Sequence, residues 1–186
     1  ILKRTWKAVD NCNNATTKTQ TITVRDVTAP TFTANFPSDE TVECSAVPTA
    51  PATVSATDNC DASVTVTYEG EVRTNGDCAD SYILKRTWKA VDNCNNATTK
   101  TQTITVRDVT APTFTANFPS DETVECSAVP TAPATVSATD NCDASVTVTY
   151  EGEVRTNGDC ADSYILKRTW KAVDNCNNAT TKTQTI

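Results

Sequence analysis

The sequence predicts an all-β protein made of tandem immunoglobulin-like β-sandwich domains, with about seven strands each and disulfide staples. Two observations favour this class. Threonine and valine alternate through much of the chain, which is typical of strands buried on one face, and no segment has apolar residues at helical spacing. Turn residues such as Asp-Asn and Asn-Gly separate the short alternating runs, as they do between the strands of a sandwich.

An 82-residue repeat organises the chain. The run Ile-Leu-Lys-Arg-Thr-Trp begins at Ile1, Ile83 and Ile165, and everything between is also repeated, so the 186 residues hold two periods of 82 and 22 more. Perfect tandem copies suit a product whose useful property is length or multiplicity. We expect the C-terminal hairpin of a truncated repeat in residues 1–25, a complete domain (the first copy) in 26–107 and a nearly complete domain (the second copy) in 108–186.

The first half of a copy predicts three short strands, which prolines separate: residues 31–36, 41–44 and 53–57. Alternation places Phe32 and Phe36 on one face of the first strand, and Val54 and Ala56 on one face of the third. These faces are expected to point into the sandwich.

The second half predicts three further strands, the last two of them longer: residues 64–68, 82–91 and 99–106. The strand over 82–91 places Leu84, Trp88 and Ala90 on its inward face, and Ile104 is inward on the last strand. Arg86 lies on the same side as Trp88, so its guanidinium is expected to stack on the indole or to reach a carboxylate.

Cysteine usage indicates an oxidising compartment. Each copy holds four cysteines and the chain has no histidine, which favours a disulfide framework in a secreted domain and argues against zinc. The cysteines are Cys44, Cys60, Cys78 and Cys94, repeated as Cys126, Cys142, Cys160 and Cys176. A ninth, Cys12, is the copy of Cys94 in the first 22 residues.

Four cysteines allow three connectivities, and the predicted topology favours one. The two Asp-Asn-Cys triplets fall in loops at the same end of an immunoglobulin-like sandwich, which favours pairing of Cys60 with Cys94. Cys44 and Cys78 then fall at the opposite end and would form the second bond. Pairing of sequence neighbours is the alternative.

Charge and motifs exclude several classes of function. The net charge is −7, and the first 22 residues carry four cations against one anion, so each copy carries −5. Such an array stays soluble and has no reason to bind nucleic acid or anionic lipid. No apolar stretch has the length of a membrane span, and there is no nucleophile elbow or phosphate loop, so we do not expect an enzyme.

Three segments carry a family resemblance: Arg-Asp-Val-Thr-Ala-Pro-Thr-Phe at 25–32, Ala-Thr-Asp-Asn-Cys at 56–60 and Trp-Lys-Ala-Val-Asp-Asn-Cys-Asn-Asn at 88–96. They resemble the hyalin-repeat (HYR) family of immunoglobulin-like modules, in the versions arrayed in giant secreted or surface proteins of Bacteroidota. The resemblance covers the whole period and implies an extracellular tandem β-sandwich with a role in adhesion and no catalysis. Many members carry glycine where this chain has Asn95, and asparagine also tolerates a left-handed turn.

Acidic residues collect where neighbouring domains are expected to meet, and carboxylate oxygens are ligands that Ca²⁺ prefers. Calcium is the one metal cofactor that this pattern predicts; the alternative is that the same residues only shape turns. The candidate residues are Asp26, Asp58, Asp61 and Asp92 at one junction, and Asp108, Asp140, Asp143 and Asp174 at the next.

The leading functional hypothesis is a structural repeat segment of a long extracellular filament or stalk of a bacterial surface adhesin, which supplies length, stiffness and a multivalent surface. Its partners would be identical neighbouring repeats of the same or an adjoining chain. The alternative is a binding module of a secreted multidomain protein, with a glycan or a surface partner as its target. Few aromatic residues are free for sugar stacking, and a twisted sandwich is a poor host for a flat ice-binding array.

Overall fold

The structure, a computed structural model that describes residues 1–186, is all-β, and the predicted class of tandem immunoglobulin-like sandwiches is confirmed. One short 3₁₀ turn at Cys44–Ala46 is the only helical segment. No helix has the length and hydropathy needed to cross a membrane.

Strands recur at the 82-residue period. The N-terminal hairpin consists of β1 (Leu2–Val9) and β2 (Ala15–Ile22). The first copy contains β3 (Thr31–Phe32), β4 (Glu40–Glu43), β5 (Ala56–Thr57), β6 (Thr65–Asn75), β7 (Tyr82–Val91) and β8 (Ala97–Arg107). The second copy contains β9 (Thr113–Phe114), β10 (Ala138–Thr139), β11 (Thr147–Asn157), β12 (Tyr164–Val173) and β13 (Ala179–Thr185).

The strands that both copies share pair in the same way, and the first copy has one further strand, β4. In the first copy β3 pairs with β5, and the larger sheet has the order β4–β8–β7–β6. In the second copy β9 pairs with β10, and the larger sheet has the order β11–β12–β13. The pairing of β4 with β8 is parallel, from Glu40 opposite Ile104 to Glu43 opposite Arg107, whereas β11–β12–β13 is antiparallel throughout.

The chain divides into two compact units. The first unit comprises residues 1–36, 52–69 and 88–100, and the second comprises 37–51, 70–87 and 101–186. This division does not follow the 82-residue copies, so the domain boundaries after residues 25 and 107 stay a prediction.

The core of the first unit is an aromatic cluster around Trp88, which is 2% exposed. The rings of Phe36 and Tyr68 lie 5.3 and 5.1 Å from that of Trp88, and Phe32 packs edge-on against Phe36. Burial of Trp88 and Ala90 and partial burial of Phe32 and Phe36 confirm the inward faces predicted for the first strand and for β7, whereas Tyr68 is 41% exposed.

The N-terminal hairpin of the first unit has the sequence of the β7–β8 hairpin but a different environment. Trp6, the equivalent of Trp88, is 56% exposed, although β1 and β2 pair in full register from Leu2–Ile22 to Val9–Ala15. A two-stranded hairpin buries little apolar surface by itself. The backbone pairing is therefore complete here without a core.

Two hydrophobic clusters lie in the second unit. Leu84, Ile104 and Val106 form one of them, with Val42 and Tyr82 packed against it, as the alternation in 82–91 and 99–106 predicts. The other repeats the aromatic cluster, because Phe118 and Tyr150 surround Trp170 at 5.3 and 5.0 Å. It also buries Phe114 and Ala172.

Two of the three short predicted strands are shorter in the structure: the strand predicted over 31–36 ends at Phe32, and the one predicted over 53–57 begins at Ala56. The strand predicted over 41–44 agrees with β4 to within one residue, and the first copy has six strands where about seven were predicted. The N–H of Phe36 donates to the carbonyl oxygen of Thr33 at 3.1 Å, and this turn ends β3 at Phe32. Pro48 and Pro51 lack the N–H that a ladder requires, so no strand forms around them between β4 and β5. The strand predicted over 82–91 agrees with β7 at both ends.

The tight turn between β7 and β8 depends on asparagine. Asn95 has a φ of 68°, as does Asn177, and Asn13 has 66°. The left-handed region costs asparagine less than other residues with a side chain, which is why the turn forms without glycine. Asp92 closes the turn, since its Oδ1 accepts the N–H groups of Cys94 and Asn96 at 2.9 and 2.8 Å.

Candidate functional site

Two disulfides join the first copy to the second. Cys44 is bonded to Cys142 and Cys78 to Cys176, with Cα–Cα distances of 5.8 and 5.1 Å, and each bond spans 98 residues. All four cysteines belong to the second unit. The predicted pairings of Cys44 with Cys78 and of Cys60 with Cys94 are therefore wrong, as is pairing of sequence neighbours.

The error has a geometric cause. Cys44 follows β4 and Cys78 precedes β7, so both lie at one end of the first copy, as predicted. The Asp-Asn-Cys turns of the second copy bring Cys142 and Cys176 to the same place. Cys44 and Cys78 are thus each bonded to a cysteine of the neighbouring copy. A prediction made for one isolated sandwich does not include that copy.

The other cysteines are unpaired and exposed, contrary to the prediction that all but Cys12 would be bonded. They are Cys12, Cys60, Cys94, Cys126 and Cys160. Partial desolvation and the charges of Asp26 and Asp58 raise the pKa of the Cys60 thiol. This thiol is therefore protonated at neutral pH, and it is neither an activated nucleophile nor a thiolate ligand.

Hydrogen bonds between the copies surround the disulfides. The Oε1 of Glu43 accepts the N–H of Val109 at 3.2 Å and the hydroxyl of Thr110 at 2.9 Å. The Oγ of Ser81 accepts the N–H of Asp108 at 3.2 Å. These contacts hold the segment that connects the copies against the end of the first copy.

Two asparagines add contacts from the Asp-Asn-Cys turns of the second copy. Asn141 Nδ2 donates to Ser45 Oγ at 3.2 Å, and Asn175 Nδ2 donates to Asp80 Oδ2 at 2.6 Å. Sequence reasoning overlooked these side chains, together with Glu43 and Ser81. The one signal that could have found them is their position, within a few residues of a cysteine.

Four of the eight predicted calcium ligands use both carboxylate oxygens inside their own fold. Asp174 is typical: its Oδ1 accepts the N–H groups of Cys176 and Asn178, and its Oδ2 accepts the side-chain amide of Asn178 at 2.9 Å. The turn-shaping alternative describes these four residues, which are Asp61, Asp92, Asp143 and Asp174.

The other four candidates each keep one carboxylate oxygen free. Their Oδ1 accepts a backbone N–H two residues ahead, at 2.8 to 3.3 Å, while their Oδ2 is buried without a hydrogen-bond partner; the residues are Asp26, Asp58, Asp108 and Asp140. They form two pairs. Carboxylate oxygens of Asp108 and Asp140 lie within 4.8 Å of each other, and the same holds for Asp26 and Asp58.

Asp108 is the most constrained member of these pairs. It is 4% exposed, its Oδ2 has no hydrogen-bond donor, and one of its carboxylate oxygens lies within 4.8 Å of a carboxylate oxygen of Asp140. Burial raises the pKa of Asp108 to about 6, and the charges of Asp140 and Asp174 add to the effect. Two unpartnered carboxylate oxygens in a buried, negatively charged place fit a hard cation such as Ca²⁺.

The sulfur next to this pair does not change the choice of cation. Cys142 Sγ lies within 4.8 Å of both carboxylates, but it is bonded to Cys44 and so offers no thiolate. A donor set made of carboxylate oxygens suits calcium or magnesium better than zinc.

A buried arginine contributes to the fold near this end of the first copy. The Nε of Arg86 donates to Glu71 Oε2 at 3.0 Å, and its Nη2 donates to the carbonyl oxygen of Pro48 at 2.7 Å. The prediction that Arg86 would reach a carboxylate is confirmed. Arg168 repeats the arrangement with Glu153 and Pro130.

The chain matches no family model, and it matches no curated protein. Among solved structures it is similar to Drosophila N-cadherin EC1-4, at 15% identity and a TM-score of 0.36, covering 85% of this chain and 49% of that one. The protocadherin GammaB4 extracellular domain gives 18% and 0.35, covering 92% and 36%. Protocadherin Gamma B7 domains 1-4 give 15% and 0.36, covering 100% and 56%. The chain thus spans about half or less of the first two structures, and similarity at this level assigns neither a function nor a ligand.

Proposed function

We propose that this chain is a structural repeat segment of a long extracellular filament or stalk of a bacterial surface adhesin, as the resemblance to hyalin repeats suggests. The observation that carries the proposal is the pair of disulfides between successive copies. A disulfide inside a domain stabilises that domain alone, whereas a disulfide between copies fixes how each copy follows the last. A fixed arrangement of successive copies stabilises an extended array, whereas an isolated module has no neighbouring copy to be fixed to.

The compartment follows from the same bonds. Structural disulfides persist outside the cytoplasm and are rare within it. The charge of −7 keeps neighbouring chains apart and soluble, as a surface fibre requires. We therefore assign the segment to the cell surface or to a secreted fibre.

Stiffness at the junction has a second source in this proposal, which is calcium held between Asp108 and Asp140. The unsatisfied and buried Oδ2 atoms of these two residues support it. An ion there would tie the segment connecting the copies to the Asp-Asn-Cys turn of the second copy. Asp26 and Asp58 would do the same for the first copy.

The binding-module alternative has less support. Sugar recognition uses exposed aromatic platforms, and in each copy the tryptophan is buried in its cluster, with Trp88 and Trp170 each 2% exposed. The exposed aromatic side chains of the copies are single tyrosines, Tyr68 and Tyr150, at 41%. The proposed role is therefore mechanical and adhesive.

Immunogold electron microscopy tests the proposal. An antibody raised against the refolded chain should label thin fibres outside the cell, with gold particles along the fibre at multiples of a constant spacing. Label at a single point at a fibre tip would favour the binding module. Label confined to the cytoplasm would overturn the extracellular role.

A further inference from the structure

Both disulfides obey one rule of register. Cys142 lies 98 residues after Cys44, and Cys176 lies 98 residues after Cys78. This separation is one period of 82 residues plus the 16 residues from the first cysteine of a copy to its second, or from the third to the fourth. In each bond, a cysteine of one copy reaches the next cysteine position in the following copy.

The unpaired cysteines obey the same rule. For Cys12, Cys60 and Cys94, the rule requires a partner 98 residues earlier, and for Cys126 and Cys160 it requires one 98 residues later. All five positions lie outside residues 1–186, and no cysteine whose partner position lies inside this range is unpaired. All nine cysteines, the four bonded and the five unpaired, therefore follow the same 98-residue rule.

The residues around the bonds repeat as well. The disulfide end of the first copy carries Glu43, Ser45, Asp80 and Ser81. The following copy supplies asparagine amides to two of them, Ser45 and Asp80, and backbone N–H groups to the other two. Because the copies are identical in sequence, each further junction would present the same side chains. The paired cysteines are half-buried among these groups, while the five unpaired ones are exposed.

We propose that every junction in an array of this 82-residue unit carries two disulfides in the 98-residue register, so that no copy has a disulfide of its own. The covalent frame of the array is then a ladder. Each junction is crossed by the main chain and by two further bonds, and the free thiols mark the two ends. This inference concerns the cross-linking alone and does not depend on the proposed adhesive role.

Formation of each bond is an ordinary oxidation. Two thiols lose two protons and two electrons to an acceptor disulfide such as oxidised glutathione, which leaves as two thiols. The oxidised form is thus reachable in a glutathione redox buffer.

Thiol counting at two chain lengths tests the ladder. The chain and a version extended by one 82-residue unit are refolded in a glutathione buffer, unfolded in denaturant and treated with a maleimide. Mass spectrometry then counts the labels. The ladder predicts five labelled thiols at both lengths, because each added unit adds two bonds and leaves the ends unchanged. Pairing within each copy would leave only Cys12 labelled at both lengths, and that result would overturn the proposal.

Single-copy variants identify the partners, which peptide mapping cannot do alone because equivalent peptides are identical. Cys44→Ser should raise the label count by one, since it releases Cys142, and Cys44→Ser with Cys142→Ser should restore five. Cys12→Ser, the matched control, should lower the count by one. If Cys44→Ser with Cys78→Ser leaves five labelled thiols, Cys44 and Cys78 were bonded to each other, and the ladder is wrong.

Discussion

Carboxylate oxygens of Asp108 and Asp140 lie within 4.8 Å of each other, and neither Oδ2 has a hydrogen-bond partner. Two such groups repel each other in the absence of a cation, and the cost grows with burial. The pair sits beside the Cys44–Cys142 bond, so the two features that fix the junction lie next to each other.

Calcium should therefore stabilise the chain, and Asp108→Asn should remove one bound ion. At a free calcium concentration of 100 times Kd, binding at one site adds about 2.7 kcal/mol, or roughly 5–10 °C in Tm. Equilibrium dialysis and differential scanning calorimetry measure the two quantities. Asp159→Asn, which removes the same charge from an exposed site, is the matched control and should bind as the parent does. Equal calcium binding by Asp108→Asn would refute the site.

The raised pKa of Asp108 predicts how stability depends on pH when calcium is chelated. The carboxyl of Asp108 titrates near 6 in the folded protein and near 3.8 in the unfolded chain, so between these values the folded state holds the extra proton. The free energy of unfolding should therefore fall as the pH rises from about 4 to about 6.

Asp108→Asn removes this contribution. The free energy of unfolding of the variant minus that of the parent should therefore be larger at pH 7 than at pH 4. Urea unfolding of both proteins at the two pH values measures this difference. Asp140, Asp174 and Glu43 face the same place, and their charges act in the same direction on Asp108. Asp159→Asn should keep the parental slope, and a parental slope in Asp108→Asn would contradict the assignment.

Much of the fold follows from the sequence because alternation is a local signal. The bounds of β7 and the burial of Leu84, Trp88 and Ala90 need only the period of two and the size of the side chains. The left-handed turn at Asn95 is also local, since it depends on one residue type at one position.

The disulfide partners could not be predicted in this way. Each copy offers two cysteines at each end, and the alternation says only which end each cysteine occupies. Whether Cys44 meets Cys78 or Cys142 depends on where the following copy lies, which is a property of the junction. The neighbours of Asp108 were predicted, by contrast, because the sequence analysis placed Asp108, Asp140 and Asp174 at the same junction.

The disulfides also limit how far the chain can be stretched. From Ile1 to Cys44, across to Cys142 and on to Ile186, the covalent path holds about 90 residues, against 186 in the reduced chain. At about 3.5 Å per residue, the extended length should be roughly 310 Å when oxidised and roughly 650 Å when reduced. Optical-tweezer extension between the termini measures this difference.

Two variants separate this effect from general destabilisation. Cys44→Ser with Cys78→Ser should extend to the reduced length even without a reductant, since it lacks both bonds. Cys12→Ser removes an unpaired cysteine and should keep the short length. An oxidised parent chain that extends to the full length would show that the bonds between the copies do not form.

The ion pair of Arg86 with Glu71 predicts unequal effects for its two partners. The side chain of Arg86 is 5% exposed and donates to both Glu71 and the carbonyl oxygen of Pro48, whereas the side chain of Glu71 is 47% exposed. Arg86→Ala leaves the carbonyl without its donor and removes buried packing, so we expect a loss of about 2–3 kcal/mol in the free energy of unfolding. Glu71→Gln should cost less than about 1 kcal/mol, because water replaces much of that contact.

Lys85→Ala, on the exposed face of the same strand, should change the free energy of unfolding little. Urea unfolding of the three variants measures the order of these effects. A loss in Glu71→Gln as large as that in Arg86→Ala would mean that the ion pair, rather than the buried guanidinium and its backbone contact, supplies the stability.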